Sequence, residues 1–381
     1  MFKAEMYRLL SKKVAVAAML VALFFIIYFT MGNTVWGEGL IDDGEIYHGT
    51  AAIAKDKEIA AEFTGPLTEE TVRAIWEKYG PPINYYSRST TLEGMREAAA
   101  KGGNDNYCNR FVARKFGEVV KDEEGETTYV LAEGWTESRY LQGDYMFGYT
   151  GNSSWFWDRF LLAYILAHIA IIILLCPMFS EDYACRTADI ILPTAKGRFF
   201  LWRLRMGVGC LLATAYYWLA CGSIYLLYIV YYGTAGLEVS CGLSGIPVFY
   251  LEDSMSMGKG LLILYLCGWF SALVVAVVTC GISAGCRQTF SSLVRSLFFY
   301  IGPFAFREIV LDSLPMGVVN SLLRSVCYGM PLSYPGAFAE APGGARVFLT
   351  AMGLAAALIG AGAGVWGHCR HQVQYGWPTR G

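Results

Sequence analysis

Residues 179–205 read FSEDYACRTADIILPTAKGRFFLWRLR, and the runs on either side of them, 160–179 and 206–232, hold no Asp, Glu, Lys or Arg. Each flanking run has about 20 residues or more, the length a helix needs to cross a hydrocarbon core of about 30 Å. The connector therefore lies on one side of a membrane. Arg186, Lys196, Arg198, Arg203 and Arg205 outnumber its acids and place it inside, where Lys and Arg accumulate. Ser180 can cap a helix that opens with Glu181 and Asp182, both well placed against its positive end. That helix runs to about Leu192, and Pro193 stops it. Tyr183, Ile190 and Ile191 give it an apolar face, Arg186 and Asp189 a charged one. Such a helix suits a groove on a soluble partner. The competing reading, a helix resting on the bilayer, calls for fewer acids and more bases.

Working outward, the same lack of charge marks spans at 14–31, 260–285 and 347–366. A further run, 293–306, is short, and Pro303, Arg307 and Glu308 interrupt its far end. Only 16% of the 381 residues are charged and 55% are hydrophobic. The mean hydropathy is +0.38, whereas a soluble protein carries about 25% charged residues. The sequence predicts a polytopic α-helical membrane protein with six transmembrane helices. With the N-terminus inside, residues 1–13, 180–205, 286–292 and 367–381 are cytoplasmic, so both termini are. The outer loop 233–259 carries Lys259 as its only base. Residues 307–346 hold Arg307, Arg324 and Arg346 and read as outer-leaflet helices and loop, including a helix over 318–328.

Residues 1–13, MFKAEMYRLLSKK, put Phe2, Met6, Leu9 and Leu10 on one helical face and Lys3, Arg8, Lys12 and Lys13 off it. They read either as an amphipathic helix in the inner headgroup layer or as a basic flank that sets orientation. The first apolar run lacks a small-x-small cleavage site and reads as a retained anchor. Residues 32–157 hold 21 acids and 12 bases, a balance of -9; the rest, with 11 acids and 18 bases, stands at +7. These residues predict a mainly helical (α+β) extracellular domain between the first two spans. LTEETVRAIWEKYG (67–80) is a helix with Thr68 as N-cap and Gly80 just past its end. Further helices are expected over 91–100 and 111–120, then an exposed turn and a short strand in 121–135.

Candidate chemistry is sparse. There is no GxxxxGK[ST] loop to cradle phosphate, no GxGxxG after a strand and no HExxH. An enzyme is not expected, and no cofactor is bound directly. The bases sit beside apolar spans rather than in one patch, which argues against nucleic acid. His368 and His371 flank Cys369 and resemble a weak metal site, with packing the plainer reading. His168, inside the second span, is either functional or bonded to a neighbouring helix. Asn152-Ser153-Ser154 matches a glycosylation acceptor by composition alone. Cys108, Cys241 and Cys327 fall in the segments placed on the outer side of the membrane and are the candidates for any disulfide. Gly281/Gly285 and Gly360/Gly364 have GxxxG spacing, for packing within the chain or a dimer seam. The Tyr-rich third span either lines a pathway or packs by its aromatics.

The chain resembles the permease subunits of ABC-2 type transporters, in a bacterial subgroup with a large extracellular first loop. FKAEMYRLLSKK looks like the family's elbow helix, and a Glu-containing helix followed by PTAKGRFFLWRLR is similar to its connector after the second span. GPLTEETVRAIWEKYG lies in the corresponding outer domain. The connector departs from a common form at Cys185-Arg186-Thr187, where many relatives have a small residue or Gly before Thr. The resemblance implies a multi-pass protein of a bacterial cell membrane and an exporter driven by ATP hydrolysis on a separate ABC ATPase chain. It also implies pairing with a second permease copy or related chain, among membrane lipids. Glu181, Asp182, Arg186 and Thr187 would then form the coupling helix, with Arg198 and Arg203 as its basic edge. The alternative is a polytopic sensor or scaffold whose acidic outer domain binds a ligand or partner without transport.

Overall fold

The computed structural model describes residues 1–83, 96, 99–100, 102–121, 127–151, 153–194, 198–244, 254–315 and 317–369. The expected helix over 91–100, the turn at 122–126, Asn152, Lys196, His371 and the tail after 369 fall wholly or mostly outside these residues. In chain order the elements are α1 (Phe2–Leu10), α2 (Lys13–Thr30), β1 (Gly39–Asp42), β2 (Glu45–His48), α3 (Thr50–Ala61), β3 (Gly65–Pro66), α4 (Glu69–Tyr79), α5 (Tyr107–Phe116), β4 (Gly117–Lys121), β5 (Thr127–Leu131) and β6 (Met146–Phe147). There follow α6 (Ser153–Leu175), α7 (Pro177–Ala184), α8 (Ala188–Ile191), α9 (Phe199–Tyr232), α10 (Cys241–Ser244), α11 (Met257–Gly285), α12 (Thr289–Phe306), α13 (Val318–Tyr328), α14 (Tyr334–Glu340) and α15 (Gly343–Cys369).

The protein is mostly helical with small sheets. Among the described residues five helices are long and apolar enough to cross a membrane: Lys13–Thr30, Phe156–Ala184, Phe199–Tyr232, Met257–Gly285 and Gly343–Cys369. Helix α12 is not one of them. It carries Arg295 and continues through Pro303, and a π-helical turn over Arg307–Leu311 follows it. Helix α9 starts at Phe199, so FFLWRLR belongs to the helix rather than to a connector reaching 205. No Gly or Pro interrupts 199–206, and Trp202 N–H already bonds Arg198 O at 3.0 Å.

The chain divides into two compact units. The bundle unit comprises Met1–Ile26, Phe160–Ser223 and Ile263–Gly381; the loop unit comprises Ile27–Arg159 and Ile224–Leu262. In the loop unit β1 and β2 form a hairpin in register Gly39↔His48, turned by Asp43 (φ 49°) and Gly44 (φ 80°). Positive φ at both turn residues is what an Asp-Gly hairpin needs. Thr68 caps α4 by accepting Thr71 N–H at 3.2 Å. Helix α5 opens on a capping box in which Asn106 and Asn109 bond each other's backbone N–H. It ends at Phe116, and residues 117–121 pair with β5, so the helix expected over 111–120 is corrected to a helix followed by a strand. Val119 and Val120 favour the extended form once a partner strand exists. Phe111, Val112 and Phe116 join Ile53, Val72 and Ile75 among the buried apolar residues of this unit.

In the bundle unit α6 gives way to α7 at Cys176-Pro177. Ser283 on α11 serves the junction: its hydroxyl donates to Cys176 O at 2.8 Å and accepts from Phe179 N–H at 3.0 Å and Ser180 N–H at 3.1 Å. Gly281 and Gly360 set the approach of α11 and α15. A Cβ on Gly281 would lie 2.0 Å from Gly360 O, and one on Gly364 would lie 2.9 Å from Gly281 Cα. These small residues are used for close packing within the chain.

Candidate functional site

The connector folds differently from its sequence reading. Ser180 is no N-cap. It lies inside α7, where its hydroxyl donates to Cys176 O at 2.7 Å. A single helix to Leu192 is replaced by α7 and the four-residue α8. The break falls at Cys185-Arg186-Thr187, with Arg186 at φ 58°. Three bonds hold it: Cys185 N–H closes on Glu181 O at 2.8 Å, Arg186 N–H on Tyr183 O at 3.2 Å, and the Thr187 hydroxyl donates to Asp182 O at 3.3 Å. A hydroxyl that takes a terminal carbonyl competes with helix continuation.

Glu181 and Asp182 turn inward to a charged hub shared by α1, α7 and α9. Arg8 lies 2.9 Å from Glu5, 3.5 Å from Glu181 and 3.6 Å from Asp182, and it donates to Met178 O at 2.8 Å. Lys12 pairs with Glu181. Arg205 pairs with Asp182 and lies 3.2 Å from Glu5, with its guanidinium over the Phe179 ring at 5.3 Å. Asp182 is 8% exposed and Arg205 2%. Of the residues read for docking, Glu181 and Asp182 thus have their carboxylates paired within the hub. Arg205 and Glu5 are the residues the sequence reading missed. Glu5 and Arg8 are one helical turn apart in α1, a pairing spacing, and that was the available signal.

The other candidates separate. Arg186 and Thr187 are exposed, and α8 presents Ile190, 75% exposed, next to exposed Asp189. Arg198 reaches back, donating to Leu192 O at 3.3 Å and to Cys369 O at 2.8 Å, where it meets the end of α15 as cations do at helix C-termini. Arg203 is exposed, 5.7 Å over the Phe199 ring. The structure thus brings Asp182 and Thr187 together, at 3.4 Å, and leaves Arg186 and Ile190 as the free edge.

Inside the bundle, His168 Nδ1 meets Tyr164 O at 2.6 Å, and its ring stacks on Tyr300 at 5.4 Å. A carbonyl only accepts, so Nδ1 carries the proton and Nε2 is left as an acceptor. The bond runs within its own helix rather than to a neighbour. Nε2, the Tyr300 hydroxyl and the hydroxyls of Ser292 and Ser296 are buried and unpartnered among the described residues. Ser292, Ser296 and Tyr300 follow at four-residue steps on one face of α12. Three tyrosines of α9 bond neighbouring backbone: Tyr216 to Met19 O at 2.7 Å and Tyr217 to Tyr265 O at 2.9 Å in the bundle unit, Tyr228 to Thr150 O at 2.9 Å in the loop unit. His368 Nδ1 lies 3.0 Å from the Tyr183 hydroxyl. Cys108, Cys241 and Cys327 are buried, and none is in a disulfide among the described residues.

The loop unit holds a second charged cluster, with Arg110 serving several carboxylates. It lies 3.5 Å from Asp56, 3.4 Å from Asp105 and 3.3 Å from Gly39 O. Asp56, 3% exposed, also accepts Tyr107 N–H at 2.8 Å. Burial pushes its carboxyl up to about 7 against the pull of Arg110, and burial also raises Asp105 and Glu38. Glu38 accepts the Tyr232 hydroxyl at 2.8 Å.

No family model matches the chain, and no curated protein or solved structure matches it.

Proposed function

We propose that the chain is the membrane-spanning permease subunit of an ABC-2 type exporter, working with a separate ABC ATPase and a second permease copy or related chain. The observation that carries the reading is the hub: Arg8, Lys12 and Arg205 lock α1 and the start of α9 to α7, and the rigid mount presents α8 with exposed Arg186 and Ile190. A short exposed helix fixed to two long apolar helices is a lever. A push on it from a partner that closes on ATP moves both helices together. In this reading residues 293–306, extended by the π turn, make a short sixth span. The loop unit's residues 32–157 lie outside, and both termini are cytoplasmic in a bacterial cell membrane. The buried, unpartnered hydroxyls of α12 and His168 Nε2 are the interior groups that could meet a polar cargo. ATP is bound and hydrolysed by the partner, and this chain needs no cofactor of its own.

The test is affinity purification of the full chain from its native host in mild detergent, with mass spectrometry of what accompanies it. A stoichiometric ATPase with a phosphate-binding loop is expected, and Arg186→Glu combined with Ile190→Asp should lose it. A folded chain that brings no ATPase defeats the reading and favours the sensor or scaffold, for which the Asp56–Arg110 cluster in the acidic loop unit speaks.

A further inference from the structure

The bundle unit contains a cavity of about 1000 Å³ walled by α11, α12, α13 and α15. It follows α15 from Met352 to Gly367, about 22 Å at 1.5 Å per residue. One leaflet with its headgroup layer is half of a bilayer of about 40–45 Å, so the cavity is as long as one leaflet is deep. Its wall is apolar over most of that length, with Val278, Ile282 and Phe299 on one side and Ala356, Ile359 and Gly360 of α15 on the other. The small residues of α15 keep that side low and leave the room.

One end is different. Arg287, just past the end of α11, and Arg295, in the second turn of α12, both line the cavity, and no Asp or Glu does. Arg287 is exposed and makes no ion pair or side-chain hydrogen bond among the described residues, and Arg295 meets only Cys286 Sγ at 3.6 Å. Trp366 stands at the same end, 64% exposed, where an indole sits at headgroup level. Two cations with no acid beside them, above a leaflet-long apolar slot, match the two ends of one molecule.

We infer that this cavity binds a membrane lipid with an anionic headgroup, its phosphate at Arg287 and Arg295 and its acyl chains along α11 and α15. Guanidinium–phosphate hydrogen bonds are charge-assisted and are made by two prongs at once. A zwitterionic lipid would bring its own cation toward the pair. A free phosphate has no use for the slot, and a second copy of the chain offers the arginines no acid from this helix pair, since α11 and α15 contain none. The inference requires only that the long apolar helices sit in a bilayer, so it stands or falls apart from the ATPase.

The full chain, purified in mild detergent, is exchanged into phosphatidylcholine vesicles containing a minor fraction of phosphatidylglycerol and re-extracted for native mass spectrometry. Retention of phosphatidylglycerol over phosphatidylcholine is expected. Arg287→Gln with Arg295→Gln should lower that retention about tenfold or more, the factor that losing charge-assisted hydrogen bonds predicts. Ala356→Trp keeps both cations but fills the slot, and should lower retention as well; Lys3→Gln, a cation in α1, should not. Equal retention of the two lipids overturns the inference, as does retention unchanged in both cavity variants. Efficient disulfide dimers of Ile359→Cys in membranes, with no retained lipid, overturn it in favour of a second copy. If the double arginine variant does not elute as a folded species, the lipid preference of the parent and the Ala356→Trp result decide.

Discussion

Among the connector's charges, Asp182 carries the largest structural load. It faces Arg205, which is almost fully buried, and Arg8 is its second cation. Removing one partner of a buried pair costs about 3–5 kcal/mol because the other charge stays behind unpaired. Glu181 is more exposed, and its partners Lys12 and Arg8 are both far more exposed than Arg205; pairs of that kind are worth about 1 kcal/mol or less. Asp182→Ala should therefore lower the thermal unfolding midpoint in detergent by several times as much as Glu181→Ala. Equal drops would show that the hub is spread evenly and that Asp182 is not its centre. The sequence presents Arg205 as one of five bases in a polar connector, and nothing local sets it apart. What does is the length of α9: once the helix starts at Phe199, Arg205 lies two turns inside it, beneath α1. That is a tertiary fact, and it is why the hub was illegible while its location was not.

At the scale of elements, five long apolar helices and the helix over 67–80 were legible because apolar run length and cap residues are local signals. The Gly39–His48 hairpin had a local signal too, Asp43-Gly44, and the reading passed over it. The end of α5 had one as well, Gly117 just after Arg114 and Lys115, and it was also passed over; that Glu118, Val119 and Val120 then form a strand is decided by pairing with Thr128, Tyr129 and Val130. The same long-range folding puts Asp56 of α3 against Arg110 of α5 and gives the loop unit a pH dependence. Because Asp56 is raised from 3.8 to about 7, the folded unit holds a proton over a range in which the unfolded chain has released it. Stability is then complete below the ordinary carboxyl value and falls as pH rises through this window, levelling off above about 7. Asp105 and Glu38, also raised, act in the same sense. The thermal midpoint of the loop unit should fall from pH 5 to pH 8, and Asp56→Asn should flatten most of that slope while keeping a side-chain acceptor for Tyr107 N–H. A variant with the parental slope would place the proton elsewhere.

For the whole molecule, orientation is the property on which the functional reading depends, and the chain carries its own reporter. Of its eleven cysteines, eight are buried, Cys210 and Cys369 are partly so, and Cys185 alone is exposed. It sits at the break between α7 and α8, the element proposed to meet the ATPase. A membrane-impermeant maleimide should spare the protein in intact cells and label it once after permeabilisation, and Cys185→Ser should abolish that labelling. Glu58, on α3, has a side chain 73% exposed in the loop unit. Glu58→Cys in the Cys185→Ser background should be labelled in intact cells, because residues 32–157 are proposed to lie outside. Both positions report accessibility directly, so the outcome does not depend on what is transported. Labelling of Cys185 from outside would invert the topology. It would remove α8 from the compartment that holds ATP, and the hub would then be the anchor of an outward-facing receptor rather than the mount of a coupling helix.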